Sequence, residues 1–444
     1  MSIDHWMMFS TFAEQRHFEY PEKGTYRGVV INANMVQHAP AGLAAFLLEK
    51  TAQAVYVIDP LTHAFQHDPE AICNAEGEPR ASIRGLAEVY GRPIDTLVGA
   101  RRLLPKHLKA ARVLDGFTDR CVAFQRESLR SYMRNADTAK YLDDHEVDLP
   151  PYAIVAPYFY LTETTCVDWL PVCVAAAERA RELVPPGGDS KLFAAVLVSQ
   201  GVLLDESIQD SITDGLSRAS PDGYLLWADN LDEQTASKPE LAGLLRFARR
   251  LRKAGRREVV NLHGGYFSIL AAGVLGKSAL SGVTHAPEFG EFRPAVPVGG
   301  GIPIARYYVP PLHARVRFKD AAPMFRAAGY LQSAAVFHEN VCACEVCKQV
   351  LANDANNFAL FGDSTVKSVR RRHGIVRIDF PTTEAKMRCL RHYLQRKRVE
   401  YQFAATASKE QLVADLGNGI TSFVDVAGLE GVAHLQRWMD TLTS

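Results

Sequence analysis

The sequence predicts an α/β protein: a (β/α)8 TIM-type barrel followed by a C-terminal zinc-binding subdomain. Three observations carry that expectation. Short runs of β-branched and apolar residues alternate with amphipathic stretches through most of the chain, the signature of a parallel sheet covered on both faces. Seven or eight such units are present, and the glycine-rich dinucleotide fingerprint of the competing doubly wound sheet is missing. Just beyond the alternation, three cysteines fall within six residues.

The strands are expected at residues 28–32, 54–59, 153–159, 192–199, 223–227, 258–262 and 280–284, with an earlier one near 6–12. Between them, 171–183, 207–217 and 239–254 have helical periodicity. The barrel is expected over residues 1–290. Residues 76–148 interrupt the alternation as a mostly helical insertion ending in the acidic run 143–148. From 291 to 382 proline and glycine mark a loop-rich, zinc-binding subdomain with one hairpin. Residues 383–444 are expected as helices packing back on the barrel.

Composition narrows the function classes. At 47% apolar and 23% charged residues, disorder and small disulfide scaffolds are excluded. Fifty basic residues balance fifty acidic ones, so only a local basic face would bind nucleic acid. No apolar run approaches the roughly 20 residues of a membrane span, and the first residues lack a secretory pattern. The expectation is a cytoplasmic protein with no membrane partner.

Cys342-Ala343-Cys344-Glu345-Val346-Cys347 places three thiols where they can converge on one soft cation. Tetrahedral zinc needs a fourth ligand, commonly His, and His373 follows with 25 residues between. Such a closed site would be structural. An iron–sulfur cluster would need a fourth cysteine, for which only Cys389 is nearby, and three neighbouring buried cysteines are the plain alternative.

This C-x-C-x2-C pattern with its His resembles the zinc signature of the tRNA-guanine transglycosylases, above all the divergent branch associated with deazaguanine modification of DNA. The resemblance implies exchange of a guanine in DNA or tRNA for a 7-deazaguanine-type base. In that chemistry one carboxylate attacks the sugar and a second holds and protonates the base. It places these groups at the carboxyl ends of barrel strands.

On that resemblance Asp59, ending the strand Val55-Tyr56-Val57-Ile58, stands where the family's base-recognising Asp lies, with Asp-Pro-Leu-Thr in place of Asp-Ser-Gly-Gly. A strand-end Asp capping the next turn is the alternative. Gln200-Gly201 resemble the base-reading Gln-Gly, and Trp227-Ala228 replace a Gly-Gly, which would narrow the pocket. His263, Gly264 and His285 would line the same mouth. The last strand runs into His285-Ala286-Pro287-Glu288-Phe289-Gly290-Glu291 where the family's nucleophilic Asp is expected. Either Glu288 or Glu291 supplies the carboxylate, or the chain is a non-catalytic nucleic-acid-binding or partner subunit of a modification or defence system.

Residues 364–398 carry eleven Lys or Arg against two acids, which reads as a nucleic-acid-binding face. The cluster 246–253 has apolar residues at helical spacing and reads as a solvated barrel helix. Gly276-Lys277-Ser278 lacks the upstream glycine of a phosphate loop, and Gly299–Gly301 reads as a loop at the barrel mouth. The motifs leave open whether the chain is a homodimer or a heteromer.

Overall fold

Eight parallel strands close into a barrel in chain order. They are β1 (Asp4–Phe9), β2 (Gly28–Asn32), β3 (Val55–Asp59), β4 (Ala153–Ala156), β6 (Lys191–Val198), β7 (Gly223–Ala228), β8 (Glu258–Asn261) and β9 (Gly282–His285). The short β5 (Tyr160–Leu161) follows β4 and pairs with the end of β6. Closure is made by β1, which pairs with both β2 and β9 at Trp6↔Gly28 and Trp6↔Thr284. The computed structural model describes residues 3–11, 14–18, 26–51, 54–91, 102–135, 149–255, 257–274, 279–287, 290–296, 304–371 and 374–444.

Strand side chains alternate faces, and one register points inward. Trp6, Met8, Val30, Val57, Val155, Phe193, Leu225, Trp227 and Val260 form a single buried cluster filling the barrel. Gly28 is small because the Trp6 ring occupies the space its Cβ would take. The helical segment expected as an insertion supplies the β3–β4 crossover. Helix Ala111–Glu127 packs on β4, and the Gln125 amide bonds both the N–H and the C=O of Val155 at 2.8 Å. The acidic run 143–148, Gly276-Lys277-Ser278 and Gly299–Gly301 lie outside the described residues.

Helix Lys238–Lys253 begins at a Ser237–Glu240 capping box and buries Leu241, Leu244, Phe247, Ala248 and Leu251. Its Arg246 and Arg250 pair with Glu206, and Arg250 also with Asp210, so this basic cluster is a barrel-helix surface.

The chain divides into two compact units, Ser2–Pro297 with the barrel and a second formed by Val298–Ser444. The second holds more regular structure than its prolines suggested: hairpin β10 (Arg306–Val309) with β11 (Ala314–Arg317), hairpin β12 (Ser364–Arg371) with β13 (Gly374–Pro381), and helices Phe318–Ala327, Ala334–Asn340, Glu345–Leu351, Thr383–Thr406 and Lys409–Thr443. Tyr307, Phe325, Phe337, Phe358 and Phe361 form its aromatic core. The last helices belong to this unit. The Pro310–Leu312 turn packs on helix Lys409–Thr443, which buries Leu412, Leu416, Phe423, Leu435 and Trp438. This helix alone, among the described residues, is long and apolar enough to cross a membrane; part of it is exposed, and Gly428 (φ 72°) breaks it.

A buried ionic network ties this unit together. Glu400 accepts from His313 Nδ1 (2.8 Å) and from the Tyr308 hydroxyl and pairs with Lys397 (3.0 Å), while His313 Nε2 reaches Asp415 at 3.2 Å. Burial alone would raise the Glu400 pKa, but the Lys397 charge and the His313 bond outweigh it and hold the group at about 2. The stabilisation is therefore full above the ordinary carboxylate range and lost as pH falls toward 2. His313 is shifted up despite burial, by its bonds to Asp415 and Glu400, so its contribution is full below the ordinary imidazole range and fades as pH rises through its folded value. Glu400→Gln leaves Lys397 without its counter-charge and is expected to cost about 3–5 kcal/mol. An unfolding midpoint unchanged at pH 7 would show that the network contributes nothing.

Candidate metal centre and candidate active site

Three short-range features assemble the cysteines. Cys342 follows helix Ala334–Asn340, Cys344 caps helix Glu345–Leu351 by accepting the Cys347 N–H, and Cys347 lies in that helix's first turn. His392 comes from helix Thr383–Thr406, and the four donor atoms all lie within 4.8 Å of one another. His392 Nδ1 is 3.2 Å from Cys344 Sγ, 3.4 Å from Cys347 Sγ and 3.9 Å from Cys342 Sγ. Its Nε2 lies 2.7 Å from the Tyr308 carbonyl, which fixes the Nε2–H tautomer and leaves the Nδ1 lone pair facing the sulfurs. The Tyr307 ring stacks on the imidazole at 4.3 Å, and its hydroxyl is 3.1 Å from Cys347 Sγ.

The donor chemistry fits a soft cation. Hydrogen bonds from Cys344 and Cys347 pull Cys342 down to about 3, while burial and its thiol neighbours push Cys347 up. Three thiolates so placed coexist only around a cation. The group Cys342, Cys344, Cys347 and His392 is thus a candidate metal site with four protein donors and no open position.

Among the described residues, His392 fills the fourth place that spacing assigned to His373. His373 lies outside the described residues. Counting along the chain selects His373, but the fold brings His392 to the thiols from the helix after hairpin β12–β13. Cys389 is not a ligand; its thiol donates to the Phe361 carbonyl at 3.3 Å.

At the carboxyl ends of the barrel strands, Asp59 follows Val55 and Val57 on the inward register and is 2% exposed. Its Oδ1 accepts from Tyr158 OH (2.7 Å) and Leu61 N (3.0 Å). The carboxyl therefore both turns the chain and faces the mouth. Burial raises its pKa against those two bonds. Beyond Tyr158 stand His63, which the sequence did not single out, and Trp227 and His263, which it did. His63 stacks on Tyr158 with centroids 5.2 Å apart and meets Trp227 edge-on at 5.1 Å, and Trp227 meets His263 at 4.8 Å. Burial lowers His63 and His263 well below the usual imidazole range, keeping both neutral. His63 lies in a 3-10 turn, Thr62–Gln66, whose pattern carries no motif; its place four residues after Asp59 was the available signal.

The segment after β9 crosses this mouth. Trp227 Nε1 and Asn230 N both donate to the Arg293 carbonyl at 3.0 Å, Ala295 N donates to Asp229 Oδ1 at 2.6 Å, and His67 Nε2 lies 3.0 Å from the Ala295 carbonyl. Gln200 spends its amide N–H on the Asp229 and Asn230 carbonyls (3.1 and 3.0 Å), leaving its oxygen for a ligand. Gly201 leaves room for the Glu163 carboxylate, which accepts from Ser199 Oγ at 2.6 Å.

Gly264 donates to the Thr284 carbonyl at 3.1 Å, with Val283 2.6 Å from the position of a Cβ, so close packing requires glycine there. His285 does not join the mouth. It lies on the outward register of β9 and stacks on His5 of β1 at 4.9 Å, because the period of two puts Thr284 and not His285 inside. Glu288 lies outside the described residues. Glu291 is buried, and its carboxylate and that of Glu233 approach a Cβ position at Gly265 to 2.6 and 2.8 Å, so this glycine makes room for two acids. Glu233 also accepts from Ser268 Oγ (2.5 Å) and Ser268 N (3.3 Å) near the start of helix Tyr266–Val274. Burial raises Glu233 to about 7, the Glu291 charge adding to the Ser268-opposed shift. Glu233 thus holds a proton near neutral pH, the property of an acid–base group. No protein-family model matches this chain, and no curated protein sequence resembles it at a significant level.

Proposed function

We propose that this chain is a cytoplasmic, base-exchanging pentosyltransferase of the tRNA-guanine transglycosylase type, acting on nucleic acid with a 7-deazaguanine-type base, and that its Cys3His group holds a structural zinc ion. The observation that carries the reading is Asp59, a buried carboxyl of raised pKa at the carboxyl end of β3, set among aromatic rings. A flipped planar base suits such walls, and the carboxyl meets its ring N–H groups and returns a proton to it. Glu291 is the nucleophile of this scheme. Its carboxylate attacks C1′, the C1′–N9 bond breaks, and guanine leaves with its electron pair and a proton from Asp59. The incoming base then attacks C1′ and releases Glu291. Glu233 beside it takes the N9 proton of the incoming base as the new C1′–N9 bond forms; Glu233 then gives a proton to solvent and Asp59 takes one back, so the cycle closes with no net proton change. The zinc ion would be held by Cys342, Cys344, Cys347 and His392, and would fix the fold around them.

A second reading is favoured by the Arg293–Ala295 segment bonded across the mouth: a non-catalytic subunit that binds nucleic acid without base exchange. One assay separates them. Labelled guanine or a labelled 7-deazaguanine is offered with tRNA and with duplex DNA, and covalent protein–nucleic-acid adducts are trapped in parallel. Label incorporation, with an adduct lost in Glu291→Gln, is the expected result. No label and no adduct from zinc-loaded protein supports the binding subunit instead.

A further inference from the structure

The hairpin β12–β13 does something that a charge count does not describe. Its strands pair over eight residues each, from Ser364↔Pro381 to Arg371↔Gly374, giving a ribbon about 27 Å long. Along most of that length both of its faces are exposed. Two-stranded ribbons bury too little to be stable alone; this one is anchored at its base, where Thr382 N donates to the Asp363 carbonyl at 2.8 Å. Thr382 then caps helix Thr383–Thr406, which carries His392.

Residues opposite each other in an antiparallel pair share a face. One face therefore carries Val366, Ser368 and Arg370 opposite Asp379, Arg377 and Ile375. Val366 and Ile375 are 65% and 73% exposed. The other face carries Lys367, whose ammonium lies 5.3 Å from the Phe380 ring centroid. Over residues 364–381 the sequence has five Lys or Arg against one acid. The helix that follows contributes less cationic surface than its sequence suggested. Lys397 is buried against Glu400, Arg388 bonds the Leu360 carbonyl and pairs with Asp363, and Arg396 is largely buried near the thiols.

We infer that the β12–β13 ribbon is a duplex-DNA-binding element that enters the major groove. This rests on the nucleic-acid reading above and adds the polymer and the element that grips it. Guanidinium groups beside exposed apolar side chains on one narrow face match that groove, which offers guanine acceptors, thymine methyl groups and flanking phosphates. The groove of B-form DNA is about 12 Å wide and admits a two-stranded ribbon. The deep, narrow major groove of A-form RNA does not. The ribbon's geometry therefore selects duplex DNA over tRNA.

The test compares wild type with the triple variant Lys367→Ala, Arg370→Ala, Arg377→Ala. All three side chains are exposed, so the unfolding midpoint and metal content should not change. Binding to a 30-base-pair duplex, the matching single strand and tRNA is followed by fluorescence anisotropy across a salt series. Wild type should prefer the duplex, and the variant should bind it about 10- to 100-fold more weakly with a salt slope shallower by roughly two to three. Guanine N7 atoms, which face the major groove, should be protected from dimethyl sulfate by wild type and not by the variant. Equal duplex binding by both proteins, or tRNA bound more tightly than duplex, overturns the inference. Base exchange is scored separately. Exchange on DNA that survives in a variant with unchanged duplex binding defeats the ribbon and spares the enzyme. Ribbon-dependent duplex binding without exchange does the reverse.

Discussion

His392→Ala is expected to strip the metal from the C-terminal unit, whereas His373→Ala leaves it bound. Nδ1 of His392 points at three sulfurs, and its other nitrogen is held by the Tyr308 carbonyl. Removing the ring takes away one of four donors and also the face on which Tyr307 stacks at 4.3 Å. Structural zinc sites are worth on the order of 10 kcal/mol of folding free energy, so loss of a ligand should destabilise the unit by several kcal/mol. Elemental analysis of freshly purified protein should find about one zinc per chain in wild type and His373→Ala, and less than about 0.2 in His392→Ala. The thermal midpoint of His392→Ala should fall to that of chelator-treated wild type. Zinc retained in His392→Ala and lost in His373→Ala would return the fourth position to the residue that spacing selects.

Asp59→Asn should separate activity from stability. The carboxyl is buried with its pKa raised, so at neutral pH the folded state carries a charge that burial disfavours. For an acid shifted upward, stability falls as pH rises through the folded value and is regained below it. Asparagine removes the penalty, and its amide oxygen still accepts from Tyr158. The variant's unfolding midpoint at pH 7 should equal or exceed that of wild type, and its dependence on pH should flatten in the acid range. Base exchange should fall by at least about a hundredfold, because an amide cannot deliver the proton. A variant that unfolds more easily and exchanges at the wild-type rate would make Asp59 a turn-capping residue and nothing more.

Much of the barrel was readable from sequence because its signals are local. Apolar runs of five or six residues between amphipathic helices need no partner to be recognised, and the observed strands agree with most of the expected ones. Cys342, Cys344 and Cys347 were legible for the same reason, since thiols two to five residues apart must be neighbours. Asp59 was expected at a strand end, and the strand Val55–Asp59 does end on it.

Where a reading required distance, the sequence was silent or misleading. Residues 291–382 read as loop-rich with one hairpin because prolines mark turns, yet hydrogen bonding pairs two hairpins there and an aromatic cluster packs the helices around them. His285 looked like a mouth residue, but the two-residue period set by barrel closure turned it outward onto His5. Glu233 and Glu291 are 58 positions apart, and Gly265, beyond the end of β8, leaves the space in which their carboxylates approach.

By itself, then, the sequence determined the parallel barrel, the three thiols and the basic composition of residues 364–381, each an effect of neighbours along the chain. Only the tertiary structure decided that His392 joins the three thiols as a candidate metal group, that His63 stacks on the Tyr158 bonded to Asp59 and meets Trp227, and that the basic segment is an exposed ribbon. Those outcomes depend on which helix crosses which strand, a choice made by the packing of the whole core and not by any short run of residues.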